Sequence, residues 1–192
     1  MSSHWEMMRA DVSRCVSDKD PSLRGVLAAL GANMGLQAVL VYRFGRLLRA
    51  SRTRIALWPL LPAGWLLYAV AACFVRSAYG IRIALSADIG AGFWIGHFGG
   101  VEVTNCRLGE RCSVGQQTKV GRPQDAQGPQ VGDGAWIGAH ARIAGPVIIG
   151  RGVTISPGSR VSRNVPDGAL VVGDPGRVVF RGYDNTRILP HS

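Results

Sequence analysis

A chain of 192 residues can bury one sizeable core and a small second element, and is too short for two full domains. Its 26 glycines against 5 phenylalanines and 4 tyrosines argue against an ordinary mixed α/β core and for many tight, repeated turns. The formal charge of +10 is almost all arginine, since Lys19 and Lys119 are the only lysines. There is no helix-turn-helix, zinc-finger spacing or interleaved basic and aromatic stretch, so no nucleic-acid partner is expected. The arginines suit a nucleotide cofactor, an anionic polymer or an anionic membrane surface.

Residues 1–54 read as a helical region. The opening segment MSSHWEMMRADVSRC places Glu6 and Asp11 where a secretory signal would need an apolar run. Asp20-Pro21 reads as an N-cap with a first-turn proline. Leu23, Val26, Leu27 and Leu30, then Leu36, Val39, Leu40, Phe44, Leu47 and Leu48, recur at three and four, the period of amphipathic helices, with a break between Gly31 and Gly35. Arg43, Arg46, Arg49, Arg52 and Arg54 crowd the second helix's C-terminal half, where its own dipole favours them. Cys15, Cys73, Cys106 and Cys112 form no C-x-x-C pair and no cluster with histidine, which predicts buried reduced thiols, no metal, and a cytoplasmic compartment.

Residues 55–82 form an apolar helical segment. Ile55 to Val75 carries no charge, and Arg76 and Arg82 follow it. Its length permits a membrane span. Pro59, Pro62 and Gly64 in its first half, and arginines at both ends, favour a hairpin or interfacial helix on the inner face of the plasma membrane. A buried helix packed on the rest of the protein fits equally well.

From residue 83 to residue 179 the period changes to six. Aliphatic residues open successive units at Ile89, Ile95, Val101, Leu108, Val114 and Val120, with one extra residue before Leu108, and again at Val131, Ile137, Ile143, Ile149, Ile155 and Val161. The fifth positions hold small or medium residues: Asn105, Cys112, Thr118, Ala135, Ala141, Val147, Val153, Ser159 and Val165. Two inward positions in six define one flat side and a corner, so three units close a triangular coil of about eighteen residues. Stacked coils pair their backbone groups and bury an aliphatic column. The insertion Arg122 to Gln130 reads as a protruding loop, and the helical region and the tail at 180–192 read as caps for the open coil ends.

At these repeats the chain resembles the hexapeptide-repeat acyltransferases, and in Ile95-Gly96-His97-Phe98-Gly99-Gly100-Val101, the break at Gly121 to Gln130, and Gly173-Asp174-Pro175-Gly176-Arg177-Val178 it resembles their serine acetyltransferase branch. Asp20-Pro21 and the stretch Leu36 to Arg43 are similar to that branch's helical domain. The resemblance implies a mainly β fold, a left-handed parallel β-helix with an N-terminal helical region, assembled as a homotrimer with sites between subunits. It implies acetyl-CoA as acyl donor and His97 as general base, taking the proton of an acceptor hydroxyl as the oxygen attacks the thioester. Lys119, Arg122, Arg142, Arg160, Arg163 and Arg177 are candidates for the cofactor phosphates, Arg177 the best supported because it matches the branch's terminal Gly-x-Pro-x-basic pattern, and Asp20, Gly99 and Gly100 for the acceptor. His140 reads as surface.

Arg82 falls where that branch places the acidic partner of the catalytic histidine, Gly96 replaces an aspartate that touches serine, and Gly128 stands near the place of a second histidine. Asp88 and Glu102 are the carboxylates available to replace the partner. These departures direct the leading expectation to an O-acetyltransferase acting on a sugar hydroxyl of a surface polysaccharide or its lipid-linked precursor. Serine O-acetyltransferase and a non-catalytic solenoid scaffold are the alternatives.

Overall fold

The computed structural model describes residues 4–16, 23–51, 61–96, 99–122 and 127–189. Four helices precede a solenoid: α1 (His4–Ser13), α2 (Leu23–Ala32), α3 (Met34–Ser51) and α4 (Leu61–Tyr79). Asn33 separates α2 from α3, which meet at a bend of 103°. Its side-chain oxygen accepts the N–H of Leu36, so this single residue starts α3. The expected Asp20-Pro21 cap lies outside the described residues, as does residue range 52–60.

The solenoid follows from the six-residue period. Two-residue strands return to the same sheet every third strand, which makes a prism with three parallel faces. The first face stacks β1 (Arg82–Ile83), β4 (Glu102–Val103), β7 (Lys119–Val120), β10 (Arg142–Ile143) and β13 (Arg160–Val161). The second stacks β2 (Asp88–Ile89), β5 (Arg107–Leu108), β8 (Gln130–Val131) and β11 (Ile148–Ile149). The third stacks β3 (Trp94–Ile95), β6 (Ser113–Val114), β9 (Trp136–Ile137), β12 (Thr154–Ile155) and β14 (Ala169–Val172), and β15 (Arg177–Arg181) closes it antiparallel. In each two-residue strand the first side chain points out and the second points in, and the inward column is buried from Ile89 to Val161.

One register differs from the sequence expectation. The strand after β3 is Glu102–Val103, so Val103 takes the aliphatic position and Val101, also fully buried, takes the small inward one; Cys106 replaces Asn105 likewise. The step from Ile95 to Val103 is therefore eight residues and that from Val103 to Leu108 five, where regular steps are six. The extra length sits in the corner containing Gly99 and Gly100, ahead of β4 and not after it.

On the flat faces each coil donates its strand N–H groups to carbonyls of the next, as in Arg82 to Val101 and Gly90 to Leu108, while corner groups such as the Arg111 N–H donate back, to Ala91. The strand carbonyls of the first coil are thus left as an open edge. The helices cover it with side-chain donors, four arginines and a tyrosine: Arg43 donates to Ile89 (2.7 Å) and Gly90, Arg46 and the Tyr42 hydroxyl to Ala87, Arg49 to Leu85, and Arg14 of the segment after α1 to Gly92. The arginines of α3 thus serve the solenoid edge as well as standing toward the C-terminal end of their own helix, where Arg49 lies in the last turn. Asp11 holds Arg43 at 2.8 Å and accepts the N–H of Phe93, with both ionic side chains buried. Burial pushes the Asp11 carboxyl upward and Arg43 opposes that shift.

The other end is closed by β15 and by a return of the tail, where Asn185 donates to Gly134. β15 runs past residue 179 to Arg181. Of the four free cysteines, Cys106 and Cys112 are buried and Cys15 partly so, but Cys73 is exposed on α4, contrary to the expectation of four buried thiols. Burial raises Cys106 to about 12 and Cys15 and Cys112 to about 11.

Candidate active site

The corner that joins the third face to the first carries the motif around His97. Its coils stack Gly96 to Val101, Gly115 to Thr118, Gly138 to Ala141, Ser156 to Ser159 and Gly173 to Gly176. Four interstrand steps of about 4.8 Å make this corner about 19 Å long. His97 and Phe98 lie outside the described residues, as does Asp20, while Gly96, Gly99 and Gly100 are described. The Gly99 carbonyl accepts the N–H of Gln117 at 2.7 Å, and the Gln116 carbonyl that of His140 at 2.8 Å. His140, read from sequence as surface, therefore stands two coils along the same corner as the motif.

Two of the glycines there are dictated by their surroundings. Gly100 has φ +65°, and a Cβ on it would run into the Gln117 amide. A Cβ on Gly96 would strike the ring of Trp94, which lies over that backbone. Gln117 and Trp94 were not singled out from sequence; the signal was a large outward residue directly before, or a polar one within, a corner otherwise built of small residues.

The first face extends from this corner, and its outward side chains are in register as Arg82, Glu102, Lys119, Arg142 and Arg160. Glu102 lies between two cations, 3.4 Å from Arg82 and 3.7 Å from Lys119. Among the described residues no carboxylate lies within ion-pair distance of Arg142 or Arg160. Lys119, Arg122, Arg142 and Arg160 line one depression of about 240 Å³. Arg177 follows Gly176, whose N–H donates to the Arg160 carbonyl at 2.7 Å. The fold thus gathers four of the predicted phosphate ligands around one depression on the first face, while Arg177 opens β15 on the third. Arg163 instead follows β13 into the opposite corner.

The two carboxylates proposed as partners for His97 are separated by the same topology. Glu102 stands on the face that begins at the motif's corner. Asp88 stands on the second face, bonded to Arg46 and Arg107. The loop at 122–130 leaves from the first face's far edge, where Gly121 and Gly128 pack directly on the backbone of Thr104 and Asn105; residues 123–126 lie outside the described residues.

The family model for bacterial transferase hexapeptide (six repeats) matches residues 128–163. The serine acetyltransferase of Bacillus licheniformis is 30% identical over 188 residues, which cover 95% of this chain and 81% of that protein. The chain belongs to the serine acetyltransferase family. The Bacillus subtilis member is 29% identical over 187 residues, with the same coverage. Among solved structures, the Neisseria gonorrhoeae serine acetyltransferase superposes with a TM-score of 0.74 at 25% identity, covering 93% of this chain and 66% of that one. The soybean enzyme complexed with serine gives 0.73 at 26%, covering 92% and 70%. The solenoid is accordingly the family's left-handed parallel β-helix, and the protein is an acyltransferase of the O-acetyltransferase class.

Proposed function

We propose that this family member transfers the acetyl group of acetyl-CoA to the hydroxyl of serine, in the cytoplasm and as a trimer. The observation that carries this reading is the extent of the likeness: it runs through the helical region as well as the repeats, and the relatives that share it are serine acetyltransferases. The sugar acceptor expected from sequence is not what those relatives act on.

His97 takes the acceptor's proton as its oxygen attacks the thioester carbonyl, and returns it to the CoA sulfur as the C–S bond breaks. In this reading backbone N–H groups of the Gly99-Gly100 pair stabilise the oxyanion. The cofactor's pantetheine arm follows the corner from Gly100 toward Gly173, and its phosphates meet Lys119, Arg142 and Arg160 with Arg122 and Arg177. A solved serine acetyltransferase in complex with CoA shares this fold, at a TM-score of 0.69 and 25% identity. In a trimer the loop at 122–130 reaches the neighbouring copy's corner.

A second reading, a sugar hydroxyl on a surface polysaccharide, has specific observations on its side. Arg82 replaces the acidic partner and is paired with Glu102, and the Trp94 ring lies over Gly96, where the aspartate that touches serine would stand. Trp94 also presents an apolar aromatic face beside the motif. Thiol release from acetyl-CoA with serine or with deacetylated polysaccharide, and mass spectrometry of the products, separates the two. O-acetylserine supports the first reading; an acetylated glycan with no reaction on serine replaces it with the second.

A further inference from the structure

Helix α4 has two unlike sides. Its inner side packs on α3, with Gly64 against Leu48 and Tyr68 against Gly45, and Val75 is buried. Its outer side is a stripe at helical spacing: Leu66, Leu67, Val70 and Phe74 are 57 to 68% exposed, and no charged residue interrupts the helix before Arg76. Such a stripe on an otherwise basic protein marks a contact surface.

The charge around it identifies the occupant. Between Asp20 and Asp88 the sequence holds eight arginines and not one aspartate or glutamate. Arg76 and Arg82 line the same cavity as Cys73 and Ser77, so two guanidinium groups stand beside the C-terminal end of the stripe. Arg43, Arg46 and Arg82 are paired with Asp11, Asp88 and Glu102, but Arg76 has no carboxylate within ion-pair distance among the described residues. A second copy laid against this face would bring the same cation, whereas anionic lipid brings the opposite charge along with an apolar layer. The helix is long and apolar enough to cross a bilayer. Its inner side, however, is fixed to α3, whose Arg43 and Arg46 are bonded to solenoid carbonyls, so α4 lies along a surface and not through it.

We infer that the outer face of α4 docks this protein on the surface of an anionic phospholipid bilayer, its apolar stripe among the acyl chains and Arg76 at the headgroups. Acceptor identity plays no part in this inference. The test is flotation of the purified full-length chain, without detergent, on phosphatidylcholine vesicles with and without phosphatidylglycerol. The protein floats with the phosphatidylglycerol vesicles and is released by raised salt. Leu66→Asp combined with Val70→Asp abolishes flotation, and Arg76→Ala, which leaves the stripe intact, weakens it roughly fivefold. Circular dichroism and thiol release in free solution, unchanged in all variants, establish that they are folded. Wild-type protein that stays in solution with both vesicle types overturns the inference. So does an oligomer that dissociates on Leu66→Asp without any vesicle binding, which would assign the stripe to a second copy.

Discussion

Replacing Arg142 and Arg160 by alanine removes two of the four cations on the first face's ladder and leaves its register intact. Both side chains are exposed and, among the described residues, have no carboxylate partner. They stand one interstrand step apart, about 4.8 Å at the backbone, so their mutual repulsion in water is below about 1 kcal/mol and its removal leaves stability unchanged or slightly raised. Each charge-assisted contact from an exposed guanidinium to a phosphate is worth about 1 kcal/mol, or about fivefold in affinity. The double variant therefore raises KM for acetyl-CoA about 25-fold with kcat nearly unchanged, since these contacts are made equally in ground and transition states. Steady-state thiol release at varied acetyl-CoA measures this. With acetylated pantetheine, which lacks the nucleotide, wild type and variant should coincide. Arg107→Ala, on the second face and paired with Asp88, is the control. A KM shift in the double variant no larger than the control's would refute the placement of the phosphates.

Asp11→Ala leaves the Arg43 guanidinium buried without its carboxylate and is expected to cost about 3 kcal/mol in urea unfolding, with the helices detaching before the solenoid melts. Gly128→Ala would drive a Cβ into the Asn105 carbonyl, a backbone collision no rotamer relieves, so a loss of about 2 kcal/mol and displacement of the loop at 122–130 are expected. The buried thiols set an alkaline limit. An unfolded cysteine releases its proton near 9.0, while Cys106 and Cys112 hold theirs to about 12 and about 11. The folded state then binds more protons above pH 9, and stability falls as pH rises, by roughly 2 kcal/mol per thiol between about pH 9 and pH 11. Unfolding midpoints across that range should be flatter in a Cys106→Ala, Cys112→Ala variant.

The solenoid was legible because its period depends only on which side chains point inward, and that is written in Ile, Val and Leu at fixed intervals. The cationic ladder was legible for the same reason: Lys119, Arg142 and Arg160 each precede an inward aliphatic. The register at Val101-Glu102-Val103 was not, since either valine satisfies an inward position and only the stacking of Arg82 on Glu102 decides between them. Nor was the role of the first helix, because Asp11 and Arg14 on a polar segment look solvated until the open carbonyl edge of the first coil is brought against them. Trp94 became a site residue only through its packing over Gly96, which no sequence pattern states.

Acetyl transfer is placed at the corner whose sequence motif contains His97. Acceptor-dependent release of thiol from acetyl-CoA, measured side by side for wild type and His97→Asn with serine and with deacetylated polysaccharide, tests it most directly. His97→Asn is expected to lose at least about 100-fold in kcat with the productive acceptor and to leave KM for acetyl-CoA unchanged. A His97→Asn variant that transfers acetyl at the wild-type rate would contradict it.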